Sequence, residues 1–144
     1  MNEVLIKFES EDKTLSLYIE DNRSSAWAYL KECVDGVILK DAFIYSPIEP
    51  SVELNKEEIS QGMPPALISK YASDEAVLKN AQESAFDVEW SSEGDSVAIL
   101  YNGNPLAAIY SSEERGYSKA LGSESGFGNP WSEEMFNEHF ATNC

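Results

Sequence analysis

The sequence predicts an α+β domain: a mainly antiparallel sheet of about seven short strands, a central helix pair and a short C-terminal helix. Three patterns point there. Apolar residues recur at every second position in short runs separated by turn residues. A proline-opened, serine-capped stretch interrupts those runs in the middle of the chain. A Ser-Glu-Glu start followed by aromatics four apart closes it.

The elements follow in order. Val4, Ile6 and Phe8 alternate, and Ser10 to Lys13 makes a polar turn. Leu15, Leu17 and Ile19 alternate again, with Ser16, Tyr18 and Glu20 on the other face. Asp21 to Ser24 turns the chain into Ala26–Leu30, and Asp35-Gly36 reverses it into Val37–Tyr45. These four runs predict an antiparallel meander. Pro47 and Pro50 exclude a central strand, and Glu57, Glu58 and Gly62 add polarity, so residues 46–84 read as a helical and loop insertion between two β regions. Pro64-Pro65 opens one expected helix through Tyr71, and Ser73 caps a second through about Gln82, with Asp74 and Glu75 in its first turn. Phe86, Val88 and Trp90 then alternate with Asp87 and Glu89, the pattern of a half-buried strand. Val97–Tyr101 and Leu106–Tyr110 flank Asn102-Gly103, a strong hairpin signal, with Pro105 confined to a strand start or edge. Ser132 caps the last helix, and Trp131 and Phe136 stand where a hydrophobic staple places its partners.

Length and charge bound the function. At 144 residues the chain is one domain long, and sixteen aromatic residues supply a core without staples. Ten bases against 26 acids give a net charge of −16. Residues 1–60 hold thirteen acids and six bases, and residues 61–144 hold thirteen and four, so the acidity surrounds the molecule. Such a field repels nucleic acid and anionic lipid and speeds encounter with a basic protein. It also serves solubility, a reading that stays open beside the functional one. No signal-peptide pattern opens the chain and no apolar run is long enough to span a membrane, which makes the cytoplasm the expected compartment. Cys33 and Cys144 make a poor disulfide pair.

Catalytic patterns are missing. His139 is the single histidine, no Cys-x-x-Cys or His-x-x-x-His spacing occurs, and Glu9 to Asp12 lacks the ordered ligands of a calcium loop. No serine sits in a Gly-x-Ser-x-Gly elbow, and no glycine-rich loop leads to a lysine. The expectation is a non-enzymatic module with no catalytic residue, no cofactor and no metal. Its partner is a basic protein, contacted through Glu20, Asp21, Asp87, Glu89, Glu93 and Asp95, with Tyr18 and Tyr117 as aromatic anchors. The alternative is a small-molecule binder or unrecognised enzyme with a pocket between sheet and helices, for which Asp41, Arg115 and Tyr117 are the polar groups to inspect. Neither reading fixes the oligomeric state.

A resemblance accompanies these residues. Glu20-Asp21 before Trp27 and Tyr29, Ile38 to Ala42 with Ile44-Tyr45, Trp90-Ser91 with Gly94, Asn102-Gly103, Ala107-Ala108, Arg115-Gly116-Tyr117 and Trp131 resemble small bacterial proteins of the domain of unknown function 2251 family. The likeness spans the β regions, and the insertion from Pro47 to about Ser84 departs from it. It implies no established chemistry. In size, acidity and one-domain build the chain is also similar to the immunity proteins of bacterial toxin systems, which implies inhibition of a basic toxin or effector domain.

Overall fold

The structure, a computed structural model, describes residues 4–50, 52 and 66–140. Alternation of apolar residues builds two sheets. The first is the meander β1 (Val4–Glu9), β2 (Leu15–Asp21), β3 (Ala26–Glu32) and β4 (Ile38–Tyr45), antiparallel and in sequence order. The second contains β5 (Phe86–Trp90), β6 (Val97–Tyr101), β7 (Asn104–Ile109) and two-residue strands β8 (Tyr117–Ser118) and β9 (Asn129–Pro130), with β8 and β9 parallel.

The sheets pack face to face. Leu17, Ile19, Ala28, Leu30, Ala42 and Ile44 of the first meet Phe86, Val97, Ile99, Ala107 and Ile109 of the second in one buried core. Because side chains alternate across a strand, the same pattern that buries these residues sends Tyr18, Glu20, Tyr29 and Asp41 to the outer side. At one margin β4 passes close to β7 and β8, where the Ser118 hydroxyl donates to the Ile44 carbonyl at 3.2 Å.

Helix α1 (Glu133–Phe140) covers the outer face of the second sheet. The Met135 amide donates to the Ser132 hydroxyl at 3.2 Å, and Trp131 packs against Phe136 with ring centroids 5.2 Å apart. Cap and staple thus fix the helix entry. Phe140, buried at the helix end, packs with Tyr110, Ala98 and Ala108.

The expected single sheet with a central helix pair is overturned: the chain is mostly β, in two sheets, and α1 is its one α-helix among the described residues. Part of the first expected helix, Pro64-Pro65 included, lies outside the described residues, as do Glu57, Glu58, Gly62 and Cys144. Of the rest, Ser69–Tyr71 forms a single 3-10 turn, and 73–82 is no helix. Backbone bonds run sideways instead. Ser73 N–H donates to the Ala120 carbonyl, Ser46 N–H to that of Ala76, Leu78 N–H to that of Ser46 and Gly122 N–H to that of Tyr71. The capping serine does receive the Glu75 amide at 3.1 Å, but its hydroxyl donates to Lys119, so it closes a turn and starts nothing. Tertiary burial decides the matter: extended backbone lets Leu67 and Ala76 join Trp27, Phe43, Leu121 and Phe127 in a second core over the β3–β4 half of the first sheet.

Candidate functional site

Two features stand out on the surface. The first is an acidic cleft of 690 Å³ at one end of the sandwich, between the β1–β2 turn and the β5–β6 turn. Ser10, Glu11 and Asp12 form one wall, and Val88, Glu89, Trp90, Ser91, Ser92, Glu93 and Gly94 form the other. Four of these are carboxylates and none is basic.

Local turn chemistry holds both walls. The Asp12 carboxylate accepts from Thr14 Oγ1 at 2.7 Å, Thr14 N–H at 3.0 Å and Ser10 Oγ at 2.9 Å. Those donors, the Thr14 hydroxyl first, hold Asp12 below the usual carboxylate range and so keep it charged. On the other wall the Ser96 amide donates to Ser91 Oγ and the Gly94 amide to the Ser91 carbonyl, with Gly94 at a φ of 78°. That left-handed turn leaves Glu93 at the tip. Trp90, half-buried against the core between the sheets, lines the same wall. Chemically, the cleft combines what a lysine or arginine side chain needs: anions for its head and an apolar wall for its stem.

The second feature is the half of the first sheet's outer face that no other described residue covers. Register sets Lys7, Tyr18, Tyr29 and Asp41 in one row across β1 to β4, with Leu5 and Glu20 paired in the next. A depression of 180 Å³ is lined by Leu5, Tyr18, Glu20, Tyr29, Lys31 and Ile38. Lys31 and Lys7 lie over the Tyr18 ring, 4.3 and 5.7 Å from its centroid. Burial, together with the charges of Glu20 and Asp41, pushes the Tyr29 hydroxyl up to about 12.

The residues singled out from sequence are dispersed. Glu89 and Glu93 meet at the cleft, and Asp87 lies exposed on the same strand as Glu89. Asp95 is tied down by the hydroxyls of Ser91 and Ser111 at 3.2 and 3.1 Å. Tyr18, Glu20 and Asp41 share the outer face of the first sheet. Glu20 does not adjoin Asp87 and Glu89, because it and that pair face outward from opposite sheets. Asp21 is buried, at the floor of a separate 310 Å³ cleft that Arg23, Glu49 and Lys79 also line. It is 4% exposed, accepts the Tyr45 hydroxyl at 2.7 Å and the Arg23 amide at 2.8 Å, and locks the β2–β3 turn. Tyr117 is half-buried beneath α1, donating to Glu113 at 3.0 Å and packing edge-on against Tyr110.

None of the clefts described here is lined by Asp41, Arg115 or Tyr117. Gly116 does bring Arg115 close to β4, since a Cβ there would stand 2.4 Å from that of Ala42, but Asp41 and Arg115 form no ion pair.

Sequence reasoning missed Glu11 and Asp12 as partners of Glu89 and Glu93. Their facing turns are far apart in sequence, and only the stacking of the two sheets brings them together. It also missed Tyr29, whose place beside Tyr18 follows from register. Among the described residues no cluster of three or more His, Cys, Asp or Glu is arranged to hold a metal ion, and no helix is long and apolar enough to cross a membrane. Compared with protein-family models, with curated proteins and with solved structures, the chain finds no match.

Proposed function

We propose that this protein is a non-enzymatic binding module for a basic protein, an inhibitor of the immunity or antitoxin type, and that the cleft between the β1–β2 and β5–β6 turns receives the partner's cationic side chains. The observation that carries this reading is a cleft with Glu11, Asp12, Glu89 and Glu93 on its walls and no base among its lining residues. A net charge of −16 supplies long-range steering toward such a partner. Trp90 supplies the aromatic wall that binding surfaces favour.

The test compares the wild-type chain with the E11Q/D12N/E89Q/E93Q variant as bait in the source cells. A basic protein retained by the wild type and lost by the variant supports the reading, and its association rate should fall as salt rises. Equal capture by both baits removes the cleft from the proposal.

A further inference from the structure

The half of the first sheet's outer face left open among the described residues is a different surface from the cleft, and its charges make a different demand. Lys7, Tyr18, Tyr29 and Asp41 lie side by side on β1 to β4, so the row begins with a cation and ends with an anion. The ends are about 14 Å apart at the usual strand spacing. Apolar groups flank it: Leu5 is 66% exposed and Ile38 is 53% exposed, and both line the depression beside Tyr18 and Tyr29. Exposed aliphatics next to half-buried tyrosines are the composition of an interface. Two lysines, Lys7 and Lys31, stand here against three carboxylates, Glu9, Glu20 and Asp41. In a chain carrying −16 this is close to neutral ground. A strongly basic partner gains little from it, whereas a second acidic chain can approach here without meeting the repulsion it meets elsewhere.

We infer that this face binds a second copy of the chain, about a two-fold axis lying in the interface and running along the strands. That axis sets β1 of one copy opposite β4 of the other. Lys7 of each then faces Asp41 of its mate, and Tyr18 of each faces Tyr29. The segments packed over Trp27 and Phe43 cover part of the β3–β4 side, and the depression beyond them reaches across all four strands, from Leu5 to Ile38. A self-complementary patch of this kind is what a two-fold dimer requires.

Charge exchange tests it. Both Lys7 and Asp41 are exposed, so K7E and D41K should fold as the wild type does, which circular dichroism verifies. In sedimentation velocity the wild type should dimerise. Each single variant sets like charges opposite each other twice per dimer and should weaken association about tenfold. An equimolar mixture of K7E and D41K sets opposite charges at both positions and should recover dimerisation. A monomeric wild type, a dimer indifferent to both substitutions, or a mixture no stronger than its components would each overturn the inference.

Discussion

The buried pair of Tyr45 and Asp21 ties the end of β4 to the β2–β3 turn, and its removal should be felt throughout the fold. Tyr45 is 1% exposed and stacks on Phe86 of the opposite sheet with centroids 6.1 Å apart, while its hydroxyl donates to Asp21 at 2.7 Å. Tyr45→Phe keeps the ring and the stacking and deletes the donor alone. Hydrogen bonds to a charged group contribute about 1.5–3 kcal/mol net, and the carboxylate left behind is itself buried, so the expected loss is about 2–3 kcal/mol. For a domain of this size that lowers Tm by roughly 4–10 °C. Asp21→Ala should cost a similar amount, since it strands both the tyrosine hydroxyl and the Arg23 amide. The double variant should cost less than the sum of the singles, with a coupling of about 1.5–2 kcal/mol. Urea unfolding of all four chains reads this as shifts in midpoint at constant slope. A coupling below about 0.5 kcal/mol would refute the claim that the two groups depend on each other, and would return Asp21 to the surface role its sequence position first implied.

Other outcomes follow from the same geometry. Burial first, then the hydrogen bond to Asp21, raises the Tyr45 pKa well above its ordinary 10.0, and burial likewise raises Tyr110 and carries Tyr29 to about 12. The unfolded chain loses these protons first, so stability is fully present below pH 10.0 and falls as pH rises beyond it. Unfolding midpoints that stay level from pH 10 to 12 would contradict this. The Tyr110 hydroxyl is buried with no partner among the described residues, so Tyr110→Phe should be neutral or stabilising, by up to about 1 kcal/mol in urea melts, the reverse of Tyr45→Phe. Gly116→Ala forces a Cβ to 2.4 Å from the Ala42 Cβ and should cost about 1–3 kcal/mol, whereas at Gly126 a Cβ meets nothing and the same change should be near neutral. Equal effects at the two glycines would show that β8 does not pack on β4 as closely as described.

How far the sequence revealed the fold depends on what each signal measures. Period-2 alternation reports a strand with one face buried, and β1, β2 and β5 show it plainly, as Asn102-Gly103 shows the β6–β7 hairpin through positive φ at both residues. Alternation says nothing of how many sheets the strands build, and one sheet was expected where two stack. The stretch from Ser73 to Gln82 carries good capping chemistry, yet capping is worth about 1 kcal/mol, and extended backbone here instead places Ala76 and Ala81 in the two cores and pairs with Ser46 and Ala120. Local preference lost to a contact that no local window contains. The site was divided the same way. Glu89 and Glu93 were legible as outward acids, but their counterparts Glu11 and Asp12 come from the other sheet. Asp21 reads like Glu20 in sequence, and only the alternation of faces separates a core carboxylate from a surface one.

The two surfaces also constrain each other. Ser10 to Asp12 connect β1 to β2, so the cleft opens at an end of the strands, while the proposed dimer face lies on their flat outer side. A two-fold axis parallel to the strands leaves every strand end where it was. Both clefts of the dimer therefore open toward the same end, and the acidic ground there is doubled. A basic partner presenting two cationic segments would then meet two clefts at once, and the second contact forms at high effective concentration once the first has formed. This link has its own consequence. If K7E abolishes dimerisation, capture of such a partner should weaken although no cleft residue has changed, and should recover when D41K is added. If capture depends on Glu11, Asp12, Glu89 and Glu93 but is unmoved by K7E, each copy works alone, and the sheet face and the cleft serve separate ends.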